Sequence, residues 1–469
     1  MRKRVLAIIL TLCILLAVPA ALCGLAFGLP AQYDETYLAA LPAKLERLRS
    51  APSPRVILIG GSGTAFDVRS DLLEQELPGY TVINFGLYAG LGTSVMLDLA
   101  EPYLLGNDVV VFLPEQNAQS LSNYFDATSL WQATDGAVPW LSLNSTQRGA
   151  MIGAFPKFAG SKARLFWEGS KPIGDAIYAR RSFNAFGDIS CPGRLQNVMP
   201  GGADANFPVS FDPALPAPEF LARINDFDAV CRKKGASLYF GFCPMNAASV
   251  TDTFVPAEYV SMLSDSLTCE ILMNPEDSIL DPEWFFDTNF HLNEAGQILF
   301  TATLARCLKP ICGIDTPMQI DVPDAPTLAQ PSYICGNDRD ADCFTYRFAD
   351  ETAIITGLTA RGMQSEHLIL PAFAGDVPVT GMDSDALRDA DRLRTLTLGP
   401  NLRSLPDGAF SGCSALERVI LTNEKPGSLQ VGVGLLDGTN AMLVVPAASF
   451  STYATHYFWS IYSDRMMPE

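Results

Sequence analysis

Four short apolar runs divide the first half of the chain, and each is rich in β-branched or aromatic residues. They span residues 56–60, 81–86, 108–113 and 237–242. Unbroken apolar runs of this length are typical of strands that are buried on both faces of a parallel sheet. Segments with helical periodicity lie between and after them, including 220–234 and 259–272. This alternation predicts an α/β fold built on a doubly wound parallel sheet.

Small or polar residues follow three of these strands. Ser62 lies within Gly-Gly-Ser-Gly, between the first strand and a helical pattern. Gly86 ends the second run, and Asn117 follows the third. Because the carboxyl ends of parallel strands meet at one edge of the sheet, where ligands bind in open α/β folds, we expect the three residues at one rim. Small neighbours let a substrate carbonyl approach closely, which makes Ser62 the candidate nucleophile.

A single histidine supplies the candidate base. His291 is the only histidine between the N-terminal apolar segment and a later proline-rich stretch. A helical pattern starts just after it, with Asn293 as the expected N-cap. A general base of this kind needs an acceptor that fixes the tautomer of its ring. Asp287, four residues earlier, is the first choice for that acceptor, and Asp281 is the reserve.

A serine after a first strand, a glycine after a second, an asparagine after a third and a late Asp/His pair together resemble the SGNH (GDSL-like) hydrolase superfamily. The resemblance implies a flavodoxin-like sheet of the SGNH hydrolase type and a serine that attacks an ester carbonyl. It implies that Ser62, His291 and Asp287 form a catalytic triad. The amides of Ser62 and Gly86 and the side chain of Asn117 would then form the oxyanion hole.

Two positions depart from the family pattern. Where the family usually carries Gly-x-Asn-Asp, this chain has Pro-Glu-Gln-Asn at 114–117. The family norm Asp-x-x-His is replaced by Asp-x-x-x-His, which puts Thr288 at the usual position of the acid. One extra residue can be absorbed in a turn, so Asp287 remains the expected acid.

The first 30 residues have the composition of a membrane or export signal. Three basic residues at 2–4 precede residues 5–29, which carry no charge, and about 20 apolar residues suffice to cross a bilayer. This predicts a signal-anchor in the plasma membrane with the downstream chain outside the cytoplasm. A small-residue site at 18–20 leaves a cleaved signal peptide and a secreted protein as the alternative. The net charge of −19 argues against nucleic acid as a partner.

The composition changes after an expected α/β domain over residues 31–315. Residues 316–342 are proline-rich and predict an extended linker. Beyond it, short apolar triplets recur about every 23–28 residues. The unit at 402–416, with its Ala-Phe and Cys-x-x-Leu, resembles a BspA-type leucine-rich repeat. That resemblance implies a short leucine-rich-repeat solenoid over residues 343–469, which either binds a protein or glycan or is purely structural.

The cysteines and histidines do not predict a cofactor site. No Cys-x-x-Cys pair or Cys/His cluster has the spacing of metal ligands, so we expect neither a metal nor another cofactor. Cys335 and Cys343 either form a local disulfide or are free thiols. His367 and His456, within the repeats, are expected to be solvated.

Three functions remain open. The first is an exported serine esterase that removes acyl groups from cell-envelope or extracellular carbohydrate, or from small esters. The second is an O-acyltransferase on the same scaffold, in which a sugar hydroxyl instead of water resolves the acyl-enzyme. The third is a non-catalytic envelope protein that binds a ligand through its repeats. The distance between Ser62 and His291 is the first quantity that separates the two enzymes from the binding protein.

Overall fold

Two hydrophobic cores organise the chain, one built from residues between Ala26 and Leu308 and the other from residues between Cys343 and Met466. The structure is a computed structural model that describes residues 17, 20–173, 177–190, 193–250, 255–328, 333–349, 351–456 and 459–469. Within these residues, those from 312 to 340 form neither helix nor strand. We call the part that holds the first core the α/β domain and the part that holds the second the repeat domain.

The α/β domain contains nine described strands. In chain order they are β1 (Arg55–Gly60), β2 (Thr81–Gly86), β3 (Val109–Leu113), β4 (Ser237–Phe240), β5 (Met245–Asn246), β6 (Glu270–Ile271), β7 (Ile279–Leu280), β8 (Phe285–Thr288) and β9 (His291–Leu292). Five of them form one parallel sheet in the order β2-β1-β3-β4-β6. The register sets Gly60 beside both Gly86 and Leu113, so the residues that follow these strands emerge at one edge.

Helices connect the strands of this sheet. They are α1 (Leu41–Ser50), α2 (Ser62–Asp67), α3 (Ser70–Glu76), α4 (Thr93–Ala100), α5 (Ala127–Thr134), α6 (Ser145–Glu168), α7 (Pro218–Lys234), α8 (Pro256–Ser266) and α9 (Glu294–Ile311). The expectation of one helix over 259–272 is wrong beyond residue 266, because the chain there forms edge strand β6. The helix after β1 also begins earlier than its pattern indicates, at Ser62 itself.

Burial explains why the first strands are so apolar. Every residue of β1 and β3 is buried, as expected for central strands covered on both faces. The one charge in β1, Arg55, is neutralised within the core by Asp108, with 2.8 Å between Arg55 Nε and Asp108 Oδ1. A buried charge needs a partner of this kind. The pair fixes the start of β1 against the start of β3.

The repeat domain is built mainly on a parallel ladder of short strands. Its elements are β10 (Phe344–Ala349), β11 (Thr352–Leu358), β12 (His367–Ile369), β13 (Phe373–Ala374), β14 (Val377–Met382), β15 (Thr395–Thr397), β16 (Ser404–Leu405), β17 (Arg418–Ile420), β18 (Gln430–Val431), β19 (Met442–Val445), α10 (Phe450–Thr455) and β20 (Met466–Pro468). The ladder runs β12-β15-β17-β19-β20. Its register pairs Leu368 with Leu396, Leu396 with Val419 and Val419 with Leu443.

The start of the repeat domain differs from the regular repetition. Strands β10, β11, β14 and β13 form a separate mixed sheet, in which β10 and β11 are an antiparallel hairpin. The sequence leaves a disulfide and a pair of free thiols both open for Cys335 and Cys343. In the structure both are free thiols. Cys413 is fully buried in the second hydrophobic core, as expected of a packing residue.

The expected membrane segment at 5–29 lies largely outside the described residues. Residues 20–28 are helical, and Ala26 within them is buried in the core of the α/β domain. In the described portion of the chain, no helix combines the length and the hydropathy that a bilayer crossing requires.

Candidate active site

Ser62 lies at the junction of the central strand β1 and the short helix α2. It is the first residue of α2, and its side chain is only 1% exposed. The turn is tight enough to require glycine before it, since a Cβ on Gly60 would lie 2.0 Å from Thr64 Oγ1 and 2.4 Å from the Leu113 carbonyl oxygen. The hydroxyl is thereby held at the carboxyl edge of the sheet, where open α/β folds bind their ligands.

Ser62, His291 and Asp287 form a continuous hydrogen-bonded chain. His291 Nε2 lies 2.8 Å from Ser62 Oγ, and His291 Nδ1 lies 3.0 Å from Asp287 Oδ1. The two contacts suit a general base, because Nε2 can accept from the serine while Nδ1 donates to the carboxylate. Residues 229 positions apart in the sequence therefore meet at one site.

The β8–β9 hairpin accommodates the extra residue of Asp-x-x-x-His. Thr288 pairs with His291 and Phe285 with Leu292, with a shift of register between the two pairs. Thr288 Oγ1 accepts a bond from the amide of Phe290 at 3.2 Å, so this side chain closes the turn. The reserve acid, Asp281, instead precedes a short turn in which its carbonyl oxygen accepts from the amide of Trp284.

The ring of His291 is clamped by residues of α2. Phe66 stacks on it with 3.9 Å between ring centroids and an angle of 3°. Arg194 lies over the other side of the cluster, 5.1 Å from the Phe66 ring centroid, and Nη1 of Arg194 donates to the carbonyl oxygens of Phe66 and Leu292. Asp67 Oδ1 accepts from the amide of Leu292 at 2.8 Å. The same six-residue helix therefore carries the serine and orients the histidine.

The pKa values of two buried acids, Asp67 and the triad member Asp287, are shifted. Burial raises the pKa of the Asp67 carboxyl well above its usual range. Burial alone would also raise the pKa of Asp287, but hydrogen bonds from His291 and Tyr178 outweigh it and hold that pKa below its usual value. Asp287 is thereby kept ionised, which is the state that orients a neighbouring imidazole.

Tyr178 is a member of the site that the sequence analysis misses. Its hydroxyl donates to Asp287 Oδ2 at 2.5 Å and lies 3.2 Å from His291 Nδ1. Both oxygens of Asp287 are therefore engaged, one by the histidine and one by the tyrosine. The residue sits in the long insert between β3 and β4, where no sequence motif marks it.

Glu115 is the second residue that the sequence analysis misses. Its Oε1 accepts from Ser62 Oγ at 3.1 Å and from the amide of Gly63 at 3.0 Å, while its Oε2 lies 3.4 Å from Ser120 Oγ. The side chain is 4% exposed. The serine hydroxyl has one proton and two acceptors, His291 Nε2 and Glu115 Oε1, so it can donate to only one of them at a time.

The structure engages one of the three expected oxyanion donors, the amide of Gly86, in another hydrogen bond. The amide of Gly86 donates to Asn84 Oδ1 at 3.0 Å, and Asn117 Oδ1 accepts from the amide of Ser120 at 2.9 Å. Among the described residues, the bonds of Ser62 Oγ go to Glu115 and His291. Asn117 caps the loop after β3, and the side chain that reaches the serine from this loop is Glu115. The amide of Ser62 itself, at the first position of α2, has no acceptor within the helix.

The arrangement is suited to nucleophilic chemistry at Ser62. A hydroxyl becomes a competent nucleophile when a positioned base takes its proton during attack, and His291 is so positioned. In the described part of the chain, no group of three or more His, Cys, Asp and Glu side chains is arranged to hold a metal ion.

No protein-family model matches this chain, and a search of curated proteins finds no match. The site is therefore interpreted from its own geometry.

Proposed function

We propose that this protein is an exported serine esterase of the SGNH type that removes acyl groups from cell-envelope or extracellular carbohydrate. The observation that carries the proposal is the Ser62–His291–Asp287 chain, with contacts of 2.8 and 3.0 Å. The strand order of the main sheet, β2-β1-β3-β4-β6, supports it. Because β6 is the fifth strand of this sheet in chain order, the order is the 2-1-3-4-5 arrangement of flavodoxin-like doubly wound sheets. The basic and apolar N-terminus supports export and anchoring in the plasma membrane.

In the proposed reaction, Ser62 Oγ attacks the carbonyl carbon of an acyl ester. His291 Nε2 takes the serine proton and gives it to the sugar oxygen, which leaves as a hydroxyl when its bond to the acyl carbon breaks. Asp287 stabilises the imidazolium that forms between the two steps. As the carbonyl oxygen becomes an oxyanion, it takes the place of Glu115 Oε1 at the amide of Gly63 and accepts from the amide of Ser62, which has no acceptor within α2. Water, activated by the same histidine, then hydrolyses the acyl-enzyme.

A second function is favoured by one specific observation. Ser62 and His291 are each only 1% exposed, so bulk water has little access to an acyl group on the serine. An enzyme that shields its acyl-enzyme from water in this way can pass the acyl group to a bound sugar hydroxyl, which is the chemistry of an O-acyltransferase. The two functions share the first half-reaction and differ only in the acceptor.

The repeat domain enters the proposal as a BspA-type leucine-rich-repeat solenoid. Its support is the parallel ladder, in which the recurring apolar positions Leu368, Leu396, Val419 and Leu443 lie side by side. Stacking of this kind supplies a core that no single repeat could bury. A protein or glycan on the envelope is the proposed ligand of this ladder.

Labelling with a fluorophosphonate probe tests the nucleophile. The wild-type chain is expected to bind one probe molecule covalently, and Ser62→Ala is expected to bind none. A folded wild-type protein that stays unlabelled over hours would reject both enzyme functions and leave the binding protein.

Product analysis then separates hydrolysis from transfer. With an O-acetylated oligosaccharide as donor and an excess of unacetylated oligosaccharide as acceptor, an esterase releases free acetate whether or not the acceptor is present. A transferase forms acetylated acceptor and releases little acetate. The Ser62→Ala variant provides the background for both measurements.

A further inference from the structure

His456, the residue after α10 in the repeat domain, lies against Tyr178 of the candidate active site. The ring of His456 is 5.8 Å from that of Tyr178, centroid to centroid, and meets it edge-on at 62°. His456 is 4% exposed, so the expectation that this histidine is solvated is wrong. A residue more than 150 positions after the triad, in a different hydrophobic core, therefore contacts the residue that bonds Asp287.

Tyr178 depends on ring contacts for its position. It lies outside the helices and strands of the α/β domain, beside the single bridge that joins Ala179 to Thr36. Its ring packs against Phe66 and Tyr37, with centroid distances of 5.6 and 5.8 Å, and His456 supplies a contact from the repeat domain. Because its hydroxyl bonds Asp287 Oδ2, a shift of the ring changes the support of the catalytic acid.

His456 is itself fixed by the repeat domain. Its amide donates to the carbonyl oxygen of Tyr453, and its own carbonyl oxygen accepts from the amides of Trp459 and Ser460. Trp459 is fully buried and bonds the carbonyl oxygen of Pro426 through Nε1 at 3.1 Å. The imidazole is thus held at the end of the ladder, and it reaches Tyr178 only when the two domains are docked.

A second contact joins the domains on the same side of the α/β domain. Asn206 Nδ2 donates to the carbonyl oxygen of Leu405 at 3.0 Å, and Leu405 belongs to β16 in the repeat domain. Asn206 lies in the same insert as Tyr178, and its amide is bonded to Asp204. The insert therefore carries both contacts, which places the repeat domain over the part of the α/β domain that supports the triad.

The electrostatics around Asp287 agree with this placement. Charge on His456 lowers the pKa of the Asp287 carboxyl, in addition to the larger effects of burial, which raises it, and of the His291 and Tyr178 bonds, which lower it. The other titratable groups that face this cluster are Asp67, Asp204, Glu115, Arg194 and Tyr37. Arg194 is the one cation among these five groups, and a charged imidazole at 456 adds to the positive charge near Asp287.

We propose that His456 is a positioning residue of the active site, so that the repeat domain completes the catalytic centre of the α/β domain instead of acting only as a separate module. It holds the Tyr178 ring in place, and its charged form stabilises the Asp287 carboxylate. The proposal rests on the proposed function, because it assigns His456 a part in the reaction of Ser62.

Substitution of His456 in the full chain tests this. His456→Ala removes ring and charge, and His456→Phe keeps a ring without the charge. His367→Ala is the matched control, since His367 is exposed on β12 of the same domain. For hydrolysis of a small aryl ester, we expect His456→Ala to lower kcat about tenfold. We expect both His456 variants to move the acid limb of the pH profile upward by about 0.5 pH units, because the hydrogen-bonded His291–Asp287 pair takes up a proton more easily once a neighbouring positive charge is removed.

The control defines what would overturn the proposal. His367→Ala is expected to match the wild type in kcat and in the pH midpoint. If both His456 variants also match the wild type while remaining folded, the repeat domain has no part in the active site. A merely structural role of His456 would change the amount of folded protein without moving the pH midpoint, and this result would also reject the proposal.

A second readout separates this proposal from the proposed function. If wild type and Ser62→Ala are equally inactive, the proposed function fails, and hydrogen exchange then tests the domain contact. Faster amide exchange of residues 177–183 in His456→Ala than in His367→Ala would show that His456 secures Tyr178. Equal exchange in the two variants would overturn the contact as well.

Discussion

At the residue scale, the unexpected feature is a carboxylate beside the nucleophile. Glu115 Oε1 lies within hydrogen-bond distance of both Ser62 Oγ and the amide of Gly63. During attack, negative charge develops on the substrate oxygen that takes this place. A neighbouring carboxylate opposes that charge, whereas an amide group in the same place donates to it. In the proposed reaction, Glu115 therefore holds the serine in its resting position and slows acylation.

We accordingly expect Glu115→Gln to accelerate acylation. The glutamine removes the negative charge and keeps an oxygen that accepts from Ser62 and from Gly63, so the rate of fluorophosphonate labelling should rise by about tenfold. The rate is measured by stopping labelling reactions at a series of times and quantifying the in-gel fluorescence. Glu168→Gln, at an exposed position of α6, serves as the control and should leave it unchanged. A labelling rate for Glu115→Gln that falls below the wild-type rate would show that the carboxylate assists the reaction.

Asp204 gives a pH-dependent prediction at the same scale. Its carboxyl is buried, which raises its pKa to about 7, and among the described residues its Oδ2 has no hydrogen-bond partner. In the unfolded chain an aspartate titrates near pH 4. Between these two values the folded state binds more protons than the unfolded state, so this group lowers the free energy of unfolding as the pH rises from about 4 to about 7.

Asp204→Asn removes this titration and keeps an oxygen for the amide of Asn206. We expect the variant to be more stable than the wild type above pH 7, by about 1–3 kcal/mol, with the difference vanishing toward pH 4. Urea unfolding at a series of pH values measures it. Asp212→Asn, at an exposed position of the same insert, should be neutral throughout. A variant that is less stable than the wild type at pH 8 would contradict the assignment.

At the element scale, the packing of α2 on β2 determines where the serine lies. A Cβ on Gly86 would lie 2.5 Å from Thr64 Cβ and 2.8 Å from the amide nitrogen of Ala65. Gly86 is thus required for the close approach of the helix to the strand, which gives it a structural role at the position where the family resemblance implies an oxyanion donor.

Gly86→Ala is expected to lower the free energy of unfolding by about 1–3 kcal/mol and to slow labelling of Ser62, since the added methyl group pushes α2 outward. Gly149→Ala, in α6, is the matched control: no atom lies within 4 Å of the added Cβ, and alanine favours a helix. Denaturant unfolding and probe labelling are measured on both variants. Equal stability of Gly86→Ala and the wild type would show that α2 adjusts freely.

The sequence predicts the elements that are long or fully buried and misses the short ones. The apolar runs locate β1, β2, β3 and β4 to within about two residues, because a strand covered on both faces has few polar positions. The sequence does not predict strand β6, because two residues are too few to show a periodicity. Its structure depends on its pairing with β4. The N-cap Asn293 is confirmed, with its side chain accepting from the amide of Gly296 at 2.9 Å.

The site is predictable in part for a related reason. Ser62, His291 and Asp287 stand next to strand ends or helix starts, where local sequence signals exist, and the structure brings all three together. Tyr178, Glu115 and His456 reach the site through tertiary packing from an insert, a loop and another domain. No local pattern marks such residues, because their positions depend on contacts between segments far apart in the sequence.

At the scale of the whole molecule, each end of the linker is hydrogen-bonded to the domain next to it. The amides of Gln319 and Ile320 donate to Glu76 Oε1 in the α/β domain, and Asn401 of the repeat domain bonds the backbone of Ile334 in both directions. Together with the contacts of Asn206 and His456, these bonds hold the repeat domain against the insert. The linker composition predicts an extended segment, but it gives no sign of this docking.

The most direct test of the account is to map the site of a fluorophosphonate adduct by peptide mass spectrometry. We expect one adduct, on the peptide that carries Ser62, with a labelling rate that falls by about 10³-fold or more in His291→Ala and in Asp287→Asn and stays at the wild-type level in Asp281→Asn. An adduct on any other residue, or a rate that is unaffected by the loss of His291, would contradict it.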